Sequence, residues 1–193
     1  MSIATKTITN EGSRYLAATF SIAFCGALIL SFIGLFSGVA ISYSGVTNHT
    51  PSQLIVINAK AGSWFDASDI PRRVIPQIYS ISGVEEVGEL KVTNAIWTSV
   101  SSSGATKQIG VMVISSDMRR GAINLPVNFS DVTINALQFP NTVAIDRTSF
   151  RKMGIRLGDK AAINGKIVYI KGVVDGFPNA SGRAMVFTSR QTG

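Results

Sequence analysis

"YLAATFSIAFCGALILSFIGLFSGVAISYSGV", Tyr15 to Val46, contains no charged residue, and the next charge after Arg14 is Lys60. A bilayer core of about 30 Å needs about 20 helical residues. Leu16 to Ser42 supplies 27, roughly 40 Å of helix at ~1.5 Å per residue, enough to span with some tilt. A cleaved signal peptide has an apolar core of only about 7–15 residues, so the length argues against cleavage at the weak Gly38-Val39-Ala40 site. Buried helices of soluble proteins rarely exceed about 20 residues and usually show a polar face. The stretch therefore reads as one transmembrane helix over residues 15–44, with a segment 1–14 before it and a domain 45–193 after it.

The flanks give an orientation. Lys6 and Arg14 precede the span, while no Lys or Arg follows until Lys60. Positive flanks stay in the cytoplasm, which predicts a cytoplasmic N-terminus in the inner (plasma) membrane and an extracytoplasmic, periplasmic domain. Arg14, Tyr15 and Tyr43 are the expected membrane-interface residues, because basic and amphipathic aromatic side chains favour the headgroup level. Along the helix, Ala27, Ser31, Gly34, Gly38 and Ser42 share one face. Small residues let helix backbones approach closely in lipid, so this stripe predicts packing against other membrane helices or a second copy of the chain.

The remaining composition narrows the function. The chain has 193 residues, 18 Lys+Arg against 11 Asp+Glu and a net charge of +7. Its basic residues are scattered, with only Arg72-Arg73, Arg119-Arg120 and Arg151-Lys152 as adjacent pairs. A nucleic-acid surface needs a clustered patch; scattered basic residues fit a solvated surface lying near anionic headgroups. The single cysteine, Cys25, lies inside the span, so neither an intrachain disulfide nor a cysteine metal site is expected.

After the span, "VTNHTPSQ" (Val46–Gln53) reads as a polar lead. "QLIVINA" (Gln53–Ala59) is a compact Ile/Val-rich run that predicts a strand. In "FDASDIPRRVIPQIYSISGV", Ser68 or Asp69 can cap a helix, Pro71 suits its first turn, Ile70, Val74, Ile78 and Ile81 share a face, Pro76 shortens it and Gly83 ends it. "ELKVTNAIWTSV" (Glu89–Val100) and "KQIGVMVIS" (Lys107–Ser115) alternate around a "SSSGA" tip and predict a hairpin. In the first of these, Leu90, Val92, Ile96 and Val100 face one way and Lys91, Thr93 and Trp97 the other. Ser116 to Pro140 reads as irregular with one short helix. "NTVAID" predicts a strand, and "RTSFRKMGI" a helical turn or two ending at Gly154. Asn164-Gly165 between β-rich runs is a strong type I′ hairpin signal, and "AMVFTS" a last strand. The expected fold is α+β: a mixed sheet with hairpins and about two helices, preceded by one transmembrane helix.

No reaction centre is legible. The only histidine, His49, falls on the polar lead and has no partner for a metal cluster or a triad, so it reads as a surface residue. "SGATKQ" and "INGKIV" lack the spacing of a phosphate-binding loop. Glu85, Glu86 and Glu89 read as a solvated turn rather than an acid/base pair. Asn48, Asn128 and Asn179 head glycosylation sequons, a pattern common by chance. The expectation is no catalytic residue, no cofactor and no metal, and thus a binding, scaffolding or force-transmitting module rather than an enzyme.

Five segments in order carry a resemblance. They are the basic flank and helix from Arg14 to Tyr43; "SQLIVINAKAG" (Ser52–Gly62); "ISGVEEVGEL" (Ile81–Leu90); "NLPVN" with "LQFPNTVAIDRTSFRKMGI" (Asn124–Asn128, Leu137–Ile155); and "RLGDKAAINGKIVYIKGVVDGF" (Arg156–Phe177). Together they resemble the N-terminal half of an ABC-transporter permease of the MacB/FtsX type, and within it the DevC branch. The resemblance implies a permease whose periplasmic core domain sits on the first membrane helix. It also implies three later membrane helices, a cytoplasmic ABC ATPase subunit and a membrane-fusion (adaptor) protein as partners. The sequence stops at "MVFTSRQTG" (Met185–Gly193), where such a permease returns to the membrane, so a truncated product, a split permease or a degraded copy is expected. The alternative is a stand-alone anchored binding or scaffold module.

Overall fold

The computed structural model describes residues 12–64, 69–100, 106–177 and 182–193. Lys6, the Ser68 cap, the hairpin tip at residues 101–105 and the Asn179 sequon lie outside the described residues. The chain divides into two compact units, Met1–Ile41 and Ser42–Gly193.

The first unit holds most of helix α1, which runs without a break over Gly12–His49. Its side chains are apolar on every side; Leu16, Phe20, Leu30 and Phe36 are all 70 % exposed or more. Among the described residues it is the one helix long and apolar enough to cross a membrane. Two of its serines back-bond within the helix: Ser21 Oγ donates to the Ala17 carbonyl at 2.9 Å and Ser31 Oγ to the Ala27 carbonyl at 2.7 Å. In lipid, where no water offers a partner, such back-bonding keeps a serine tolerable.

The second unit is a six-stranded closed barrel. Its strands are β1 (Lys91–Val100), β2 (Thr106–Ser116), β3 (Thr142–Asp146), β4 (Lys160–Ile163), β5 (Lys166–Val174) and β6 (Ala184–Ser189). They lie in the order β1-β2-β6-β3-β5-β4, with β1 returning to β4. The sheet is mixed: β2 with β6 and β3 with β5 are parallel, and the other pairs antiparallel. Three short helices accompany it among the described residues: α2 (Val74–Tyr79), α3 (Asp131–Leu137) and α4 (Arg147–Met153).

Local chemistry accounts for most of these elements. Asn164 and Gly165 both take positive φ, 48° and 83°, the geometry a type I′ turn requires. Ser130 accepts the Thr133 N–H to cap α3, and Asp146 accepts that of Thr148 at 2.9 Å to cap α4. Gly154, at φ 67° and ψ 38°, ends α4 in the left-handed conformation. Helix α2 is only six residues long and has no side-chain cap; Pro76 sits in its first turn, where a missing N–H costs little.

Two cores are built on the two faces of the sheet. Inside the barrel, Ala95, Trp97, Val111, Val143, Ile170 and Val186 pack with Met153 and Ile155. On the other face, Met112, Ile114, Ala144, Val174, Met185 and Phe187 pack under α3, Phe129 and Phe177. Phe129, Phe177 and Phe187 form a triangle of aromatic contacts with ring centroids 4.7–6.1 Å apart, in tilted and edge-on arrangements that ring quadrupoles favour.

Two expectations are corrected, and one choice that the sequence left open is settled. Residues 53–59 form no strand: the barrel closes through β1 and β4, which leaves that run no edge to join. In β1 the face bearing Trp97 lines the interior, with Trp97 fully buried, whereas Ile96 is 53 % exposed. The lead after the span is helical up to His49, because its last turns pack into the domain.

Candidate functional site at the end of the long apolar helix

The last two turns of α1 belong to the second unit. Ser42, Gly45 and Val46 are buried there, and Val46, fully enclosed, is part of the outer core with Met118, Leu125, Phe129 and Phe177. The helix end is tied on every side. The His49 carbonyl accepts the Val127 N–H at 2.8 Å, and Thr50 Oγ1 returns to the Val46 carbonyl at 2.6 Å. These bonds occupy carbonyls that a helix C-terminus leaves without partners. The His49 ring lies 2.6 Å from the Gly45 carbonyl through Nδ1 and edge-on to Phe177, centroids 5.6 Å apart. His49 is therefore half-buried packing material, not the surface residue the sequence suggested.

Trp64 brings the following loop back to the helix. Its Nε1 donates to the Tyr43 carbonyl at 3.1 Å, and its ring packs on the outer core. Tyr43 is 40 % exposed and Tyr15 46 %. Of the small-residue stripe, Ala27, Ser31, Gly34 and Gly38 are exposed, and a Cβ added at Gly34 or Gly38 would meet nothing within 4 Å. Ser42 is only 8 % exposed, so it is covered and leaves the stripe four members long.

Beside the buried aromatic cluster, Asp146 is fully buried and holds two elements at once. It caps α4, and its Oδ2 accepts the Phe177 N–H at 2.9 Å. Asn128 Nδ2 donates to the Asp175 carbonyl. Arg147 grips Asp175 through Nε at 2.7 Å and Nη2 at 3.1 Å. The guanidinium hydrogen bonds hold the Asp175 carboxyl below its ordinary range, against a smaller opposing effect of desolvation, and raise Arg147 in turn.

Elsewhere an open cleft of about 500 Å³ is lined by Arg72, Ser116, Asp117, Gln138, Ser189 and Arg190. Arg190 bridges Glu89 at 2.5 Å and Asp117 at 3.3 Å, and Arg119 pairs with Glu86 at 3.2 Å. The acidic run at Glu86 and Glu89 thus serves ion pairs across the domain. Ser116 Oγ is buried without a hydrogen-bond partner. Among the described residues no three His, Cys, Asp or Glu side chains gather as a metal site.

What sequence reasoning missed is the helix exit itself. Val46 and His49 carry no local signal, because one lies in a uniformly apolar run and the other in a short polar one. Trp64 was equally silent, since its role depends on a contact 21 positions away.

No family model matches the chain, and no curated protein matches it. Among solved structures it is similar to a domain of a protein described as a permease from Porphyromonas gingivalis, 20% identical with a TM-score of 0.42, covering 59% of this chain and 50% of that one. It is also similar to the periplasmic region of MacB from Actinobacillus actinomycetemcomitans, 12% identical with a TM-score of 0.39, covering 61% of this chain and 53% of that one. The chain spans about half the length of the solved chains it matches.

Proposed function

We propose that the chain is a membrane-anchored permease component, or part of one, of an ABC-type exporter. Its N-terminus faces the cytoplasm and residues 42–193 lie outside. The reading starts from the ordered motifs between Arg14 and Phe177. The observation that carries it is the single helix Gly12–His49, whose final turns are core elements of the domain, with Val46 fully buried. A tilt or rotation of that helix end cannot occur without displacing Val46, His49 and the backbone at Val127. Motion imposed on the helix by an ATPase at the cytoplasmic side is thereby delivered to the barrel and to an adaptor docked on it. Ala27, Ser31, Gly34 and Gly38 pack against neighbouring membrane helices, and Arg14, Tyr15 and Tyr43 hold the span at the two interfaces.

Membrane fractionation followed by co-purification tests this. The chain is expected in the membrane fraction with an ABC ATPase and an adaptor. Gly34→Ile is expected to weaken its association with other membrane helices. A chain that stays in the membrane yet retains no transporter component sinks the transporter role. It leaves the alternative of an anchored binding module, for which the open cleft around Ser116 is a candidate feature among the described residues.

A further inference from the structure

The loop between α1 and α2 carries an apolar run that the fold does not use. Leu54 is 84 % exposed, Ile55 46 %, Val56 56 % and Ile57 41 %. Residues on both sides of the backbone are exposed, so burial on one sheet edge would leave half of them in water. Four consecutive large aliphatic side chains in water are a liability that calls for an occupant.

The surrounding geometry names one. Tyr43 to His49 is six helical steps, about 9 Å along the axis. The chain leaves His49 and returns to Tyr43 through the Trp64 indole, 3.1 Å from the Tyr43 carbonyl. Residues 50–63 therefore form an excursion whose far end closes at the level of Tyr43, only two residues beyond the last residue of the apolar first unit, Ile41. Tyr43 and Trp64, joined through the Tyr43 carbonyl near the end of an apolar helix, are of the residue types that favour the headgroup layer. Lys60, three residues after Ile57 in the chain, supplies a basic residue close in sequence to the run, as an anionic membrane surface favours.

We infer that Leu54–Ile57, pinned by Trp64, dips into the headgroup and upper acyl layer of the same bilayer that α1 crosses, as a second membrane contact. This rests on the reading of α1 as a membrane span. The loop thereby fixes the domain's approach to the lipid surface rather than leaving it on a single stalk.

The full chain in vesicles of phosphatidylcholine and phosphatidylglycerol tests it, with an environment-sensitive fluorophore on one cysteine at a time. The native Cys25, exposed on α1, reports the span. Val56→Cys in a Cys25→Ser background reports the loop, and Val132→Cys, at a position 78 % exposed on α3, serves as the control. The expected result is blue-shifted emission at residue 56, quenched more by a nitroxide near the lipid headgroup than by one near the tail end. The reverse order is expected at Cys25, and aqueous emission at residue 132. Leu54→Asp with Ile57→Asp should return the residue 56 label to aqueous emission while Cys25 stays quenched. If Cys25 is quenched and residue 56 is aqueous, the second contact is wrong and the span stands. If residue 56 is shielded without lipid quenching and forms a disulfide between copies, a protein interface covers the run and the lipid contact is overturned. If Cys25 itself is not quenched, the span reading fails first.

Discussion

Gly172 shows how tightly single residues are held where the sheet meets α3. A Cβ built there would lie 2.7 Å from Thr133 Cγ2 and 2.8 Å from Ala144 Cβ, and Ala144 is a strand residue that cannot swing aside. Gly172→Ala is expected to lower stability by about 1–3 kcal/mol, the scale of overpacking a filled core. Gly110→Ala, in β2 with nothing within 4 Å of its new methyl, is expected to be neutral or stabilising by about 0.5–1 kcal/mol, since glycine weakens a strand interior. Denaturant unfolding of the two variants beside the parent checks both. Asp175 gives the pH-dependent counterpart. Its carboxyl is depressed in the fold by Arg147, so the pair contributes stability above the ordinary carboxylate pKa, about 4. That contribution is lost as pH falls through the folded value. Both groups are exposed, so the effect is small. The difference in melting temperature between the parent and Asp175→Asn should be present near neutral pH and shrink toward nothing in acid. A difference that grows in acid would contradict the assignment.

Among the elements, the β4–β5 hairpin does more than reverse the chain. Strands β1 and β4 pair at only two positions, Trp97 with Ile163 and Thr98 with Ala162. Asn164 extends the seam: its N–H donates to the Ile96 carbonyl at 2.9 Å and its Oδ1 accepts the Ile96 N–H at 2.8 Å. Asn164→Ala loses the side-chain bond and places a Cβ-bearing residue without a local partner at positive φ, for an expected cost of about 2 kcal/mol. Asn164→Gly loses the bond alone and should cost about half as much. Hydrogen exchange at the Ile96 amide should speed up in both. The turn was legible because Asn-Gly dictates its own geometry; the seam was not, because it depends on where β1 arrives. The same limit explains one misread stretch and one choice that alternation left open. "QLIVINA" has strand chemistry, yet a strand exists only with an edge to pair with, and closure removed the edges. Trp97 and Ile96 are both strand-like, and alternation separates the two faces without naming the inner one when both faces of a sheet carry a core.

For the whole molecule, the informative residue is Val46. The uniform hydrophobicity of Tyr15–Val46 made the long apolar helix legible, and that same uniformity concealed where protein contacts begin, since a residue facing lipid and one facing a core obey the same chemistry. Burial of a valine is worth about 1.5–3 kcal/mol. Val46→Ala is therefore expected to destabilise the domain of the full chain in detergent by about 2 kcal/mol. Ile41→Ala, at a position 63 % exposed, should leave its unfolding unchanged. Equal effects would mean that the domain does not own the end of the helix. That Ser42, the fifth residue of the small-residue stripe, is covered by the domain could be seen only in the fold.

The position of β6 has a consequence for biogenesis. Ala184–Ser189 lies between β2 and β3, parallel to one and antiparallel to the other. Until that segment is in place, the β1–β2 hairpin and the β3–β5–β4 group are joined only by the two-position β1–β4 pairing, the barrel stays open, and Met185 and Phe187 are missing from the core that receives Val46. The body that receives the helix end is therefore incomplete until residues 184–189 follow the rest of the barrel. Until then it is an open sheet, exposed to mispairing and to proteolysis.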